Sequence, residues 1–333
     1  MPDPLLRFDA AINPYGCAPT VVEAIARTAS ARDYRHYGDP YAMGLREALA
    51  AHLGLLPSHL AVYNGSGEAY VWQCVDRLMA GRGSFVAPHP SYERFVDVAR
   101  RTAVSLHACP LEPRTWALDP ERLIDTARGA KASLVMVSSP NNPTGNRLLD
   151  EPALVRILDA LPETMVVVDE AYAEYGGLTF ARLAPTRTNL IVLKTFSKAY
   201  GLAGLRVGYL VAHAHTVARA LAYQIPWSVD TLALAAARAA LADQGYLART
   251  VEAINRDVAR LGARLGALGG ATVYPTDANF VLVELEADAL ARALRALGAA
   301  RFAVRRRADM PAHLRITSML PAHNEELLDC LGV

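Results

Sequence analysis

The residues of this 333-residue chain that could do chemistry follow apolar runs typical of buried strands. Lys198 closes one such run together with Thr195 and Ser197, and Arg206 follows shortly after it. A lysine at a strand end, beside two hydroxyls, can form an imine with an aldehyde cofactor. The two hydroxyls and the guanidinium fork of Arg206 together suit a phosphate group. A surface lysine after a buried strand is the alternative for Lys198 taken by itself.

A carboxylate closes a second apolar run. Asp169 is followed by Glu170, Ala171 and Tyr172. A carboxylate at this edge of a sheet can pair with a pyridinium nitrogen and keep it protonated, which makes the ring an electron sink. Tyr172 could donate a hydrogen bond to a phenolate oxygen of the same ring. A helix N-cap is the alternative for Asp169, and the two roles are compatible.

Three further positions could complete a site of this kind. The turn at residues 140–145 follows a third apolar run and brings the amide of Asn142 to the sheet edge. Ser66 and Gly67 precede a predicted helix, where backbone amides can bind a phosphate, although Ser66 could equally be a simple N-cap. The third glycine of the dinucleotide-binding fingerprint is missing there. Tyr92 could stack on a flat ring or could pack in the core.

The elements that must position these residues alternate between strands and helices. We predict strands at residues 84–88, 132–139, 165–169, 189–195 and 206–212, and helices at 68–80 and 93–101. The strands are mostly continuous apolar runs, as expected for strands that are buried on both faces. This alternation predicts an α/β sandwich with a mainly parallel sheet.

The last third of the chain changes character. A long helix is predicted at residues 244–268, a further helix at 287–297, and strands at 271–274, 280–285, 302–306 and 314–317. We interpret this part as a smaller α+β domain that also takes the first 35 or so residues. The predicted division is therefore a large cofactor-binding domain at 37–234 and a small domain formed by 1–36 and 235–333.

Composition narrows the class of protein. Hydrophobic residues make up 52% and charged residues 20%, which indicates a compact globular fold rather than a disordered chain. The net charge is +1, and the densest basic run, residues 305–307, is too short for a nucleic-acid surface and is interpreted as a strand end with two solvated arginines. The four scattered cysteines predict neither a metal site nor a disulfide framework. With no signal peptide or membrane span evident, we expect a cytoplasmic protein.

The order of the motifs resembles a known family. Asn-Pro-Thr-Gly at 142–145, Asp-Glu-Ala-Tyr at 169–172 and the segment TFSKAYGLAGLRVGY at 195–209 are similar to the signature of fold-type I pyridoxal-phosphate enzymes of the class I/II aminotransferase group. The resemblance runs from about Phe8 to Leu331. Within the group, histidinol-phosphate aminotransferase and threonine-phosphate decarboxylase are the two most similar branches. The resemblance implies an aspartate-aminotransferase-like large domain and pyridoxal 5′-phosphate as the cofactor.

The resemblance also implies a role for each site residue. Lys198 carries the Schiff base and then moves a proton, Asp169 pairs with the pyridinium nitrogen, Asn142 and Tyr172 contact the ring O3′, and Tyr92 stacks on the ring. The cofactor phosphate is bound by Ser66, Gly67, Thr195, Ser197 and Arg206. Arg315 grips the substrate carboxylate, and Tyr37 reaches the phosphate of the neighbouring subunit's cofactor in a homodimer with shared active sites. Weaker candidates for substrate contact are Tyr15, Asn279 and Arg305.

Several positions depart from the family pattern. Gly67 stands where an acidic residue is usual, Gly38 follows Tyr37 where proline is usual, and the segment after Thr317 reads Ser-Met-Leu-Pro. Two of these departures lie near the expected substrate pocket and leave the substrate open.

We expect an aminotransferase that acts on an amino acid or a phosphorylated amino alcohol with a 2-oxo acid partner. A lyase on the same scaffold, either a decarboxylase or an eliminating or cyclising enzyme, is the alternative. A non-catalytic regulator and a nicotinamide oxidoreductase are less consistent with the motifs, because both Lys198 and Asp169 are retained and the dinucleotide glycines are not.

Overall fold

The computed structural model describes residues 5–31, 35–65, 83–101 and 104–333. The predicted helix 68–80 and two of the predicted phosphate ligands, Ser66 and Gly67, lie outside the described residues. The strands are β1 Leu6–Arg7, β2 Leu60–Tyr63, β3 Ser84–His89, β4 Leu106–Pro110, β5 Ala132–Ser138, β6 Met165–Asp169, β7 Leu190–Thr195, β8 Gly208–Ala212, β9 Ala271–Val273, β10 Phe280–Leu285, β11 Phe302–Ala303, β12 Arg305–Arg307 and β13 Met310–Thr317.

The described helices flank these strands along the chain. They are α1 Pro19–Ala31, α2 Met43–Leu53, α3 Glu93–Arg101, α4 Pro120–Gly129, α5 Glu151–Ala160, α6 Ala173–Gly176, α7 Ala214–Tyr223, α8 Thr231–Ala242, α9 Gln244–Leu265, α10 Ala287–Ala299 and α11 Pro321–Leu331. Short 3-10 helices lie at Pro57–His59, Ala184–Thr186 and Ala203–Leu205. Among the helices of the described ranges, none is long and apolar enough to cross a membrane.

The largest sheet has seven strands in the order β2-β8-β7-β6-β5-β3-β4. The neighbours from β7 through β4 are parallel, and β8 is antiparallel to both β7 and β2. The chain first moves outward from β3 to β4 and then returns to place β5 on the other side of β3. Such a reversal of strand order opens a crevice at the carboxyl ends of the strands, where open α/β sheets bind ligands.

Both faces of this sheet are buried, which explains the continuous apolar runs of its strands. Along β6, Val166 and Val168 pack into the core on one face, while Met165 and Val167 pack into the core on the other face. Several helices beside the sheet start at an aspartate N-cap. In α5, for example, the Asp150 side chain accepts a hydrogen bond of 2.8 Å from the Ala153 N–H. The predicted α/β fold with a mainly parallel sheet is confirmed.

A second, antiparallel sheet has the order β12-β13-β10-β9. Helices α9 and α10 pack against β10, and α11 packs against both helices, so that together they form a separate core around Phe280 and Ile316. The predicted strand 302–306 is divided in the structure. Its first half, β11, pairs with β1 in a two-stranded parallel sheet, whereas β12 joins β13. A change of sheet partner within five residues is not visible in an apolar pattern.

The N-terminal segment packs against both parts of the molecule. β1 pairs with β11, whereas α1 packs on α8, and its Val21 belongs to the core of the seven-stranded sheet. The predicted boundary between residues 234 and 235 falls inside α8, whose buried Ala236 and Ala237 join the same core. The division into 37–234 and 1–36 with 235–333 stays a prediction.

Candidate active site

A cavity of about 400 Å³ lies at the carboxyl ends of β5, β6 and β7 and extends to β12 and β13 of the smaller sheet. The N-terminal residues Asp9, Ala10 and Ala11 form part of its wall. Ten of the predicted site residues line this cavity together: Tyr92, Asn142, Asp169, Tyr172, Thr195, Ser197, Lys198, Arg206, Arg305 and Arg315. The sheet edge thus brings together side chains that are far apart in sequence, as the parallel arrangement requires.

Lys198 lies in the turn that follows β7, and its side chain is enclosed by the cavity. Its Nζ lies 5.5 Å from the centre of the Tyr172 ring. Burial, which removes the ammonium group from water, and the positive charge of Arg315 together lower the pKa of Lys198 to about 8, against the opposing effect of Asp169. About a tenth of the amine is therefore unprotonated at pH 7, and the fraction rises to about half at pH 8. The unprotonated amine is the form that attacks a carbonyl carbon.

Asp169 is the last residue of β6, and Tyr172 follows in the turn after it. Asp169 is buried, and its Oδ1 accepts a hydrogen bond of 3.1 Å from the Ala171 N–H, so the local capping contact coexists with its place in the cavity. Tyr172 packs edge-on against Phe280, with 5.2 Å between the ring centres. Burial raises the pKa of Tyr172 to about 12, and the phenol therefore remains a hydrogen-bond donor at neutral pH.

Hydroxyl and guanidinium groups meet at the other end of the cavity. The Ser197 N–H donates to Thr195 Oγ1 at 3.1 Å, and Arg206 Nη1 donates to Ser197 Oγ at 3.3 Å. Gly65, with a φ of +79°, approaches the guanidinium so closely that a Cβ there would lie 2.4 Å from Arg206 Nη2. The positive φ favours glycine at this position, and the three side chains together offer the hydroxyl and guanidinium groups that can bind a phosphate.

Arg315, on β13, is a buried cation whose hydrogen-bond partners are neutral. Its Nη1 donates to Asn142 Oδ1 at 2.7 Å, and its Nη2 donates to the Asp9 carbonyl oxygen. The guanidinium also stacks over the Phe280 ring, 4.9 Å from its centre. Within the described part of the chain, its Nε has no hydrogen-bond partner and no carboxylate lies within ion-pair distance. Burial lowers the pKa of Arg315, because the charged guanidinium is removed from water. An anion that enters the cavity would compensate for this loss of solvation.

Three predicted residues do not line the cavity. The Tyr15 hydroxyl donates to Asp257 Oδ2 at 2.7 Å on α9, and Asn279 is fully buried, with its Nδ2 donating to the Ile12 carbonyl at 2.9 Å. Tyr37 is 80% exposed and lies against Trp227, with 4.8 Å between the ring centres. In this single subunit, the geometry gives Tyr15 and Asn279 packing contacts and leaves Tyr37 on the outer surface.

Sequence reasoning missed several residues of the cavity wall. They are Asp9, Glu93, Arg94, Asp97, Ser138 and Arg307. The interpretation of the 305–307 run as a strand end with two solvated arginines agrees with the exposed Arg305 and Arg306. The third, Arg307, has a side chain that is 9% exposed and is bound by Asp309 and the Ser91 carbonyl. Strand alternation would place Arg305 and Arg307 on one face, and both line the cavity, but the pairing register shifts between them, which the sequence pattern does not show.

The family model described as "Aminotransferase class I and II" matches residues 3–331 of this chain. The chain belongs to this family. A histidinol-phosphate aminotransferase of Thermococcus gammatolerans is 36% identical over 85% of this chain and 79% of its own length. The predicted family, the α/β fold and the pyridoxal-phosphate cofactor are confirmed. The prediction that the protein is an enzyme, an aminotransferase, is confirmed as well.

Two solved structures show how closely the aminotransferase follows known folds. The histidinol-phosphate aminotransferase of Sinorhizobium meliloti, in complex with pyridoxal-5′-phosphate, is 30% identical with a TM-score of 0.88, covering 98% of this chain and 89% of that one. The L-threonine-O-3-phosphate decarboxylase of Porphyromonas gingivalis is 25% identical with a TM-score of 0.83, covering 98% of both chains. Both branches named from the sequence are therefore represented among its structural neighbours.

Proposed function

We propose that this aminotransferase takes the amino group of a phosphorylated amino alcohol, histidinol phosphate, and passes it to a 2-oxo acid. The observation that carries the proposal is the buried guanidinium of Arg315, which lies in the same cavity as Lys198 and has only neutral partners among the described residues. Such a cation is matched by an anionic group on the substrate, either a phosphate or a carboxylate. The relatives named as histidinol-phosphate aminotransferases support the phosphate.

The residues of the cavity fit pyridoxal phosphate by their chemistry. When bound, the cofactor supplies an aldehyde for amines and a pyridinium ring that takes up the electron pair of a broken Cα bond. Thr195, Ser197 and Arg206 would hold its phosphate, while Asp169 would keep a proton on its ring nitrogen. Its O3′ would receive the hydroxyl of Tyr172 and the amide of Asn142, and Tyr92 would lie against its ring.

Lys198 is the residue that moves protons in this proposal. With its pKa near 8, the amine changes protonation state at little free-energy cost close to neutral pH. It can therefore attack as a neutral amine, take a proton from the substrate Cα once it is released, and return that proton at a neighbouring carbon. Burial of the site keeps bulk water away from this proton.

The charge of the cavity wall favours anionic substrates. Its described side chains include six cations and four carboxylates. The cations are Arg94, Lys198, Arg206, Arg305, Arg307 and Arg315, and the carboxylates are those of Asp9, Glu93, Asp97 and Asp169. The excess of positive charge suits a substrate and a cofactor that each carry a phosphate, and a 2-oxo acid acceptor with carboxylates.

A lyase of the threonine-phosphate decarboxylase type is the second candidate. The Porphyromonas gingivalis decarboxylase covers the chain as fully as the Sinorhizobium enzyme, but its identity and TM-score are lower. The same residues could serve either reaction, because the bond that breaks is set by which Cα substituent lies perpendicular to the ring. The aminotransferase names among the relatives favour amino transfer.

We also propose a homodimer in which Tyr37 reaches the neighbouring active site. Tyr37 lies against Trp227 on the outer surface, and Ile225 and Tyr223, close to Trp227 along the chain, are exposed as well. The Trp227 indole is held by donating to the Gly38 carbonyl at 3.1 Å. Exposed aromatic and apolar side chains of this kind are typical of a protein interface. The cytoplasmic location stays a prediction from the sequence.

The proposed function is tested with cofactor-loaded enzyme and single substrates. Histidinol phosphate without a 2-oxo acid should convert the cofactor to its amino form, with one equivalent of carbonyl product per site, and 2-oxoglutarate should then restore the original absorbance. With threonine phosphate, release of carbon dioxide and return of the original absorbance without a 2-oxo acid would identify a lyase. An enzyme inert to histidinol phosphate but active on carboxylate amino acids would refute the proposed substrate.

A further inference from the structure

The mouth of the cavity contains an ion pair that joins the two sheets. Glu93, the first residue of α3, pairs with Arg305 on β12. Arg305 lies directly opposite Arg315 on the neighbouring antiparallel strand, and both arginines line the cavity. Side chains at such paired positions are neighbours on the sheet surface. The carboxylate of Glu93 thus lies on the helix beside the large sheet, and the two adjacent guanidinium groups lie on the small sheet.

The neighbouring Arg307 differs from Arg305 in how fully it is bound. The Arg307 guanidinium donates to both carboxylate oxygens of Asp309, from Nε at 2.9 Å and from Nη2 at 2.7 Å. The Arg307 Nη1 donates to the Ser91 carbonyl oxygen at 2.5 Å. Glu93 lies farther from it, with 3.7 Å between the Arg307 Nε and the Glu93 Oε1. Arg307 is therefore held in place by these bonds, and Asp309 already serves as its counter-ion.

Arg305, in contrast, has Glu93 as its single ion-pair partner within the described ranges, and the two side chains stay 44% and 40% exposed. An ion pair with this much solvent access is weak and opens readily. When it opens, the guanidinium of Arg305 faces the cavity with its full set of donors, next to Arg315. Glu93 occupies the position that a substrate anion would take.

We propose that Glu93 is a specificity-determining residue: it acts as the internal counter-ion of Arg305, and the distal phosphate of the substrate must displace it. The inference rests on the proposed phosphorylated substrate. Glu93 lowers the affinity of every anion for Arg305, so that a weakly held anion does not occupy the site. A phosphate monoester competes well, because it presents three acceptor oxygens and close to two negative charges to the guanidinium fork. Neutral substrates gain nothing from Arg305 and are unaffected by Glu93.

The test uses cofactor-loaded enzyme, in which the cofactor's own phosphate site is filled, and the variant Glu93→Gln. This variant keeps the size and the hydrogen-bonding oxygen but removes the charge. The KM for histidinol phosphate and the inhibition constant of inorganic phosphate should both fall about tenfold, while the KM for unphosphorylated histidinol should stay unchanged. Glu121→Gln is the matched control, because Glu121 also lies in the first turn of a helix, pairs with an arginine, Arg156, and lies outside the cavity wall. It should change none of these constants.

A second variant shows whether Glu93 acts through Arg305. Arg305→Gln should raise the inhibition constant of inorganic phosphate about tenfold or more, and Glu93→Gln should have no further effect in that background. Unchanged inhibition by inorganic phosphate in Glu93→Gln would overturn the proposal. A raised KM for both histidinol and histidinol phosphate would also overturn it, because Glu93 would then be a ligand of the cationic part of the substrate. Binding of inorganic phosphate to the cofactor-loaded enzyme can also be measured by titration calorimetry, without turnover. Failure of histidinol phosphate as a substrate would therefore refute the proposed function without deciding on Glu93.

Discussion

Arg315 and Asn142 connect the two sheets through a hydrogen bond of 2.7 Å between the Arg315 Nη1 and the Asn142 Oδ1. Arg315 lies on β13 of the small sheet, and Asn142 lies in the turn after β5 of the large sheet. The bond uses the oxygen of the Asn142 amide, and it helps to fix the plane of the guanidinium that we propose for the substrate anion. A residue proposed for the cofactor thus positions a residue proposed for the substrate.

This relationship predicts that substitutions at the two positions do not add. Arg315→Lys keeps the charge but loses the planar fork, and it should raise the KM for 2-oxoglutarate by about 10- to 100-fold. Asn142→Ala should raise it by a smaller factor, because the guanidinium loses its orientation. In the double variant the free-energy changes should fall short of their sum by about 1 kcal/mol. Steady-state kinetics of the four proteins would measure this, and simple additivity would contradict the coupling.

Lys198→Met should abolish turnover and at the same time stabilise the cofactor-free protein. Burial is the main reason that the pKa of Lys198 falls to about 8, so the folded state carries an unfavourable charge below that pH. At pH 7, the free energy of unfolding of the cofactor-free variant should be about 2–3 kcal/mol higher than that of the wild type.

The pH dependence of this gain has a defined sign. Between about pH 8 and the ordinary lysine pKa of about 10.4, only the unfolded wild type keeps the proton, so the wild type gains stability with rising pH and the difference closes. Urea unfolding of both proteins at pH 7 and pH 10 would measure it. An equal difference at both pH values would show that the buried charge is not the cause.

Lys194 should be essential for stability rather than for chemistry. Its ammonium lies 3.1 Å from Glu170 Oε2 and 3.0 Å from Glu174 Oε1, and all three groups are largely buried. Burial opposes the charge, but Glu174 and Glu170 outweigh burial and raise the pKa of Lys194 well above its usual value. Lys194→Met leaves two carboxylates without their cation and should lower the free energy of unfolding by about 3–5 kcal/mol.

The exposed Lys131 offers a control for Lys194. Lys131→Met should change the free energy of unfolding by less than about 0.5 kcal/mol, because a surface substitution removes no buried partner. Denaturant unfolding at neutral pH compares the two variants directly. If Lys194→Met were as mild as Lys131→Met, the buried cluster would contribute no net stability.

Ile225→Asp should weaken the proposed dimer. Ile225 is 69% exposed in the single subunit and lies two residues from Trp227, whose ring contacts Tyr37. A carboxylate buried in an apolar interface without a partner is strongly unfavourable, so the dissociation constant should rise at least about 100-fold. Analytical ultracentrifugation of the variant beside Leu5→Asp, at a similarly exposed leucine near β1, would measure the effect. Equal dimerisation of the two variants would place the interface elsewhere.

The sequence was informative wherever local chemistry and strand ends coincide. The bounds of β6 and β10 agree with the predicted strands, because a continuous apolar run ending in Asp169, or flanked by turn residues, has few alternatives. Lys198, Asp169, Asn142 and Thr195 lie together because parallel strands end at one edge. The split of the predicted strand 302–306 between two sheets was missed, since β11 and β12 differ in their pairing partners and not in their apolar pattern.

By itself, the sequence determined the family, the cofactor and the edge of the sheet at which the chemistry takes place. These depend on residue type and on short segments that carry their information locally. Only the tertiary structure decided that Arg315 has neutral partners, that Glu93 pairs with Arg305, and that Tyr15 and Asn279 pack away from the cavity. These relationships join segments more than 150 residues apart, and they are set by how the two sheets and the N-terminal segment pack, which no local pattern encodes.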